Sequence, residues 1–123
     1  MNSEEVFEIA KTIYKQVVRP NMMVYFSWGV SKKFYTIYRE MATLGIKVSA
    51  RLFKGYVMIC YNRGTDSYDI YLRKTLKADG ELVRGDVYFD ELQDVIDKRI
   101  ESGYSASDYE AFVKRNALKE MLA

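Results

Sequence analysis

The chain has 123 residues, of which 49% are hydrophobic and 15% aromatic, and this composition predicts one folded domain over residues 1–123. Its 19 basic and 17 acidic residues leave a net charge of only +2, which argues against a uniformly basic nucleic-acid-binding chain. No apolar run approaches the ~20 residues of a membrane-spanning helix, so we expect no membrane partner.

Two residue types bear on chemistry. The chain contains no histidine, so the commonest general base and metal ligand is missing. Its single cysteine, Cys60, cannot form an internal disulfide, and the N-terminus lacks the basic and apolar stretches of a secretory signal. We therefore expect a cytoplasmic protein with no catalytic residue, no metal site and no cofactor.

The first third of the chain predicts a helix followed by a strand. Ser3 is a typical N-cap, acidic residues follow it, and apolar residues recur at helical spacing through Val17 until Pro20 ends the pattern. Residues 22–28 are aromatic and β-branched and are bounded by a glycine, which favours a strand. Residues 31–42 fit either a helix or a strand, and we favour a strand or an irregular edge.

The middle of the chain, residues 44–74, predicts a three-stranded antiparallel meander. A two-residue turn at 54–55 places Ile59 opposite Ala50, and a four-residue loop at 63–66 aligns the next pair of strands. Both turns put the same apolar side chains on the face that we expect to pack against the helices. That inner layer consists of Val48, Ala50, Leu52, Val57, Ile59, Tyr61, Tyr68, Ile70 and Leu72.

The opposite face of the predicted meander mixes cations with aromatic rings. Such a mixture is typical of sheets that bind single-stranded nucleic acid, and exposed rings also favour protein contacts. The predicted binding surface consists of Lys47, Arg51, Phe53, Tyr56, Tyr71 and Arg73. The aromatic segment 25–38 is a second candidate surface, and the alternative is that residues 31–42 or a partner chain cover the sheet.

The last third predicts two helices. After a polar stretch with a turn at 79–80, one helix begins near Asp86 or Asp90 and ends at Gly103, with an apolar side formed by Phe89, Leu92, Ile96 and Ile100. Ser107 begins a second helix, because a glutamate three residues later completes a capping box. The whole order predicts an α+β fold. An antiparallel sheet, built from the 44–74 meander and the 22–28 strand, packs the N-terminal helix and both C-terminal helices on one face.

Three features of the chain carry a resemblance to a group of known proteins. They are an asparagine-led hairpin loop ending in Gly-x-Asp within Ala50–Leu72 (ARLFKGYVMICYNRGTDSYDIYL), an acidic helix within Asp86–Glu101 (DVYFDELQDVIDKRIE), and the tripeptide SWG at Ser27–Gly29. In these features the chain resembles a group of small uncharacterised bacterial proteins associated with mobile elements and prophage-like regions. The resemblance implies a domain of unknown function and carries no functional residue to this chain.

These observations predict a non-catalytic binding or interaction domain. We expect its partner to be another protein or a second copy of the chain, as in a homodimer. The alternative is a small accessory protein that binds single-stranded nucleic acid, with Lys47, Arg51 and Arg73 contacting phosphates and Phe53, Tyr56 and Tyr71 stacking on bases.

Overall fold

Each strand of the sheet pairs with its neighbour in the sequence. The computed structural model describes residues 1–102. The strands are β1 (Lys32–Tyr38), β2 (Met41–Ser49), β3 (Lys54–Asn62), β4 (Ser67–Arg73) and β5 (Glu81–Val87), and the helices are α1 (Ser3–Val18), α2 (Met22–Ser27) and α3 (Leu92–Asp97), followed by a π-helical turn (Lys98–Ser102). All strand pairs are antiparallel, in the order β1-β2-β3-β4-β5, so the predicted α+β class is confirmed.

Helix α1 forms where the sequence predicts it and covers one face of the sheet. Its N-cap is Asn2, one residue before the expected serine, and the Asn2 side chain accepts a hydrogen bond from the Glu5 backbone N–H at 2.8 Å. The apolar residues at helical spacing are buried in the core, namely Val6, Ala10, Ile13 and Val17. We call the sheet face that packs against the helices the inner face and its opposite the outer face.

The predicted strand at 22–28 is wrong, because these residues form helix α2. The side chain of Asn21 caps this helix by accepting hydrogen bonds from the backbone N–H groups of Met23 and Val24, at 3.0 and 3.3 Å. Gly29 follows the helix with a positive φ of 62°, a left-handed conformation that ends helices and favours glycine. These two end signals override the β propensity of the aromatic residues between them.

The predicted pairing of β3 with β4 is confirmed, since Ile59 lies opposite Ile70. The predicted pairing of β2 with β3 is wrong, since Ile59 lies opposite Leu44 and not Ala50. The partner moves along β2 by an even number of residues, so Ile59 remains on the inner face. Leu52, expected in the inner layer, is exposed in the longer turn that results.

Contacts with the C-terminal part of the chain explain that longer turn. The backbone N–H of Arg51 donates to the Glu101 carboxylate and that of Leu52 donates to the carbonyl of Ile100, both at 2.7 Å. Because these N–H groups bond to the π-helical turn, they cannot continue the ladder between β2 and β3. A distant segment therefore determines where this hairpin turns.

Two further strands extend the meander at its edges. Residues 31–42 contain β1, which confirms the expected strand in this segment. The sequence analysis did not predict β5, most of which lies in the polar stretch before Asp86. The register of its pairing with β4 shifts twice within the seven residues of β5. Because β5 extends to Val87, helix α3 begins only at Leu92, later than predicted.

Helix α3 and the π-helical turn close the core from the same side as α1. Leu92, Ile96 and Ile100 are buried as predicted, whereas Phe89 precedes the helix and is exposed. The predicted helix from Ser107 lies outside the described residues. No helix within residues 1–102 combines the length and the apolar character that a membrane crossing requires.

A buried polar contact joins α3 to the end of α2. Trp28 is fully buried, and its indole N–H donates to the Asp97 carboxylate at 2.9 Å. Nearby, the Gln93 side chain donates to the carbonyls of Val17 and Asn21, each at 2.8 Å. Side chains of α3 thus bond to the carbonyl of Val17 at the end of α1, to that of Asn21 before α2, and to the indole of Trp28 after α2.

Candidate functional site

The outer face of the sheet is a packed layer of side chains. Thr43, Met58 and Cys60 point to this face, and none of them has any exposed surface. The rings of Tyr38 on β1 and Tyr71 on β4 meet edge to face with their centroids 5.5 Å apart. Because β2 and β3 lie between β1 and β4, these two rings span the buried side chains beneath them.

A second aromatic pair, Phe34 on β1 and Tyr56 on β3, also covers the outer face. The ring of Phe34 lies directly over Gly45, where an added Cβ atom would be 2.3 Å from the ring. The Phe34 and Tyr56 rings then meet edge to face at 6.0 Å. Glycine is required at position 45 because the ring occupies the space of a side chain.

Two arginines stack on the tyrosine pair. The Arg39 guanidinium lies 4.6 Å from the Tyr71 ring centroid, and the Arg73 guanidinium lies 4.8 Å from that of Tyr38. Arg73 also donates hydrogen bonds to the carbonyls of Ala78, at 2.9 Å, and Leu76. Its guanidinium therefore holds the loop between β4 and β5 against the outer face.

The structure brings four of the six predicted binding residues to the outer face. Lys47, Tyr56, Tyr71 and Arg73 belong to it, and the Lys47 ammonium lies 5.9 Å from the Tyr56 ring centroid.

The other two predicted residues lie elsewhere. Phe53 is in the turn before β3 and packs against the core on the inner side. Arg51 is in the same turn, and its guanidinium donates to the carbonyls of Glu101 and Ser102 at 2.7 and 2.9 Å. These positions follow from the longer turn, which removes Arg51 and Phe53 from the outer strand positions that the predicted register gave them.

Sequence reasoning missed two cations near this surface. Lys32 lies directly opposite Lys47 in the sheet, and Arg39 stacks on Tyr71. Both belong to residues 31–42, whose secondary structure the sequence left ambiguous. The face of the sheet to which each side chain points could be assigned only once the pairing register of β1 was known. The pairing of Tyr38 with Met41 around a tight turn is the signal that fixes this register.

Among residues 1–102, no strand pairs with the outward side of the β1 main chain. Strand β1 forms an edge of the sheet, and an edge strand directs about half of its N–H and C=O groups away from its single partner. Its pairing with β2 is regular over all seven residues. On its inner side, Tyr35 and Ile37 remain 46% and 52% exposed, because α1 covers this end of the sheet only in part.

An apolar cavity of about 250 Å³ lies between α1 and β1. Helix α1 contributes Phe7, Ala10, Lys11 and Tyr14, β1 contributes Lys33, Phe34 and Tyr35, and β2 contributes Leu44. Three consecutive residues of β1 therefore lie along one wall of this cavity. The Phe7 ring meets that of Tyr35 edge to face at 5.2 Å.

The other edge of the sheet is less suited to pairing. Strand β5 carries two register shifts, and Asp86 near its end adopts a positive φ of 54°. Irregular pairing of this kind twists an edge strand and blocks the addition of another strand. Of the two sheet edges formed by residues 1–102, that of β1 is the regular one.

Cys60 is the single thiol of the chain, and its side chain is buried. Burial raises the pKa of the Cys60 thiol to about 11, so the group is protonated at neutral pH. Within residues 1–102, no three cysteine or carboxylate side chains lie together in a way that could hold a metal ion.

Comparison with family models, curated proteins and solved structures finds no match to this chain. The resemblance to small bacterial proteins therefore stays a prediction.

Proposed function

We propose that this chain is a non-catalytic cytoplasmic interaction domain that binds another protein by accepting an extended segment at the edge of β1. One observation carries this proposal. Strand β1 pairs regularly with β2, has no strand from residues 1–102 on its other side, and borders an apolar cavity. An added strand satisfies the free main-chain groups of β1, while its side chains enter the cavity beside α1. This mode of binding uses both the free side of the β1 main chain and the cavity next to it.

The half-exposed apolar side chains support the same mode. Phe7, Tyr35 and Ile37 are the large apolar residues around this edge, and each keeps about half of its surface exposed. A strand paired with β1 lies about 4.8 Å away, and its side chains cover these three residues. The apolar layer on the inner face then extends onto the added strand. Burial of apolar surface then adds to the main-chain hydrogen bonds.

A second copy of the chain is the less favoured occupant of this edge. Strand β1 begins with Lys32 and Lys33 and is followed by Arg39 and Glu40, so its net charge is positive. Lysine on an edge strand discourages pairing with an identical strand, because the approaching edge carries the same charge. We therefore favour a different protein over the homodimer, which light scattering at several concentrations tests.

Single-stranded nucleic acid is a second candidate ligand, for the outer face. The observation in its favour is that Lys32 and Lys47 lie directly opposite each other, and neither takes part in an ion pair formed among residues 1–102. Against it, the Arg51 and Arg73 guanidiniums already bond to backbone carbonyls. Titration with a labelled single-stranded oligonucleotide over a salt series tests this alternative, and absence of binding at low salt rules it out.

The experiment for the edge of β1 uses a random library of displayed peptides about ten residues long, selected against the full chain. We expect selected peptides to shift the backbone amide resonances of β1 and of the first half of α1. Ile37→Lys should weaken their binding about tenfold or more, because it places a charge where apolar surface would be buried. Leu82→Lys is the matched control, since Leu82 is equally exposed, at 52%, on the other edge strand.

Three results would overturn this proposal. The first is a selection that enriches no peptide, and the second is a set of enriched peptides that shift amide resonances of β5 and the outer face and leave those of β1 unchanged. Equal loss of binding in the Ile37→Lys and Leu82→Lys variants would also contradict it.

A further inference from the structure

The cavity beside β1 is apolar in its walls and positive at its rim. Ala10 and Leu44 are buried at its floor, and Phe7 and Tyr35 form an aromatic wall. The charged residues among residues 1–102 that line it are Lys11 and Lys33, and this described lining contains no carboxylate. A segment that fills the cavity therefore meets apolar surface and two positive charges.

No acidic side chain of residues 1–102 pairs with either of these two lysines. Lys33 places its ammonium 4.2 Å from the centroid of the Tyr14 ring, which holds the cation at the rim without cancelling its charge. Neither Lys11 nor Lys33 takes part in the ion pairs that residues 1–102 form with one another. Both side chains are exposed and able to meet a carboxylate on a bound segment.

We infer that the segment accepted by β1 is acidic, with apolar side chains entering the cavity and a carboxylate placed between Lys11 and Lys33. This inference rests on the proposed function and names the class of partner. Charge complementarity supports it over a neutral or basic segment, because a cation brought between two lysines would be repelled.

The register of β1 gives the expected sequence of the segment. Lys33, Tyr35 and Ile37 alternate along the inner side of β1, opposite Ile46, Leu44 and Ala42 of β2. Side chains directly opposite on neighbouring strands lie about 4.5–5.5 Å apart, so an added strand places alternate residues beside these three. In the antiparallel orientation used throughout this sheet, the segment reads apolar-x-apolar-x-acidic from its N-terminal end.

The test compares one selected peptide with its charge variants. We expect the displayed library to enrich the alternating apolar and acidic pattern. Replacing the acidic residue of a synthetic selected peptide by glutamine should weaken binding about tenfold, and raising the salt concentration should weaken it further. The double variant Lys11→Glu, Lys33→Glu should bind the selected peptide at least about tenfold more weakly and should prefer a peptide with lysine at the acidic position.

The control for the helix charge is Lys15→Glu. Lys15 lies one turn beyond Lys11 on the same helix and outside the cavity lining, so the same change of charge there should leave binding within about twofold. Because the substituted lysines are exposed, circular dichroism melts should show all of these variants folded.

The outcomes separate this inference from the proposed function. Peptides that bind at β1 without a preference for acidic residues, and without response to the double variant, overturn the inference and leave the interaction domain standing. A dimer that Ile37→Lys dissociates identifies a second copy as the occupant and also overturns it. If no peptide shifts the β1 resonances, both proposals fail.

Discussion

Replacing Met58 by alanine should destabilise this domain as strongly as replacing Ile59. The sequence alone places Met58 on the mixed outer face and predicts a small effect, but neither side chain has any exposed surface in the fold. Truncation of a fully buried methionine or isoleucine costs about 2–5 kcal/mol through lost apolar burial and the cavity left behind. That is a large share of the ~5–15 kcal/mol that stabilises a typical domain.

Leu82→Ala is the matched control for this experiment. Met58, Tyr71 and Leu82 follow one another across the outer face, yet Leu82 is 52% exposed. Its truncation should therefore cost about 1 kcal/mol or less. Urea unfolding of the three variants, followed by circular dichroism, gives the free energies directly. If Met58→Ala costs no more than Leu82→Ala, the aromatic layer does not seal the outer face and our description of that face is wrong.

Three further predictions concern one buried hydrogen bond, one contact between a glycine and a ring, and one buried thiol. Asp97→Ala should cost about 1–3 kcal/mol in urea unfolding, because it leaves the buried Trp28 indole N–H without an acceptor, whereas Asp97→Asn keeps an acceptor and should cost less. Gly45→Ala should lower the melting temperature by several degrees, because its new methyl group overlaps the Phe34 ring, and Phe34→Ala in the same chain should recover part of the loss. Burial raises the pKa of Cys60 from 9.0 to about 11, so the unfolded chain loses this proton first as the pH rises and stability should fall between pH 9 and 11 by about 3 kcal/mol. A Cys60→Ala variant whose unfolding free energy falls equally steeply over that range would contradict this assignment.

Local signals in the sequence predict the parts of the fold that local interactions determine. The loop at 63–66 fixes the pairing of β3 with β4, because both strands lead directly into it. The turn between β2 and β3 could not be predicted in the same way, since Arg51 and Leu52 are held by residues about fifty positions later. Helix α2 was missed because its two end signals, the Asn21 cap and the left-handed Gly29, outweigh the β propensity of the residues between them.

The candidate site was predictable only in part for a similar reason. Alternation along β3 and β4 correctly placed Tyr56 and Tyr71 on one face. The edge of β1 is different, because its cavity combines Lys11 from the first helix with Lys33 from a strand of ambiguous pattern. No spacing in the sequence relates these two residues, and they meet only when α1 packs across the sheet.

The bond between Trp28 and Asp97 also has a consequence for the order of events during protein synthesis. Trp28 emerges from the ribosome 69 residues before its acceptor. At synthesis rates of ~5–20 residues per second, about 3–14 s pass between the synthesis of Trp28 and that of Asp97. The hairpins can pair as they appear, but the centre of the core stays open until the chain has been translated past α3. A nascent chain stalled before Asp97 should therefore expose its only tryptophan to solvent, where a soluble quencher can reach it.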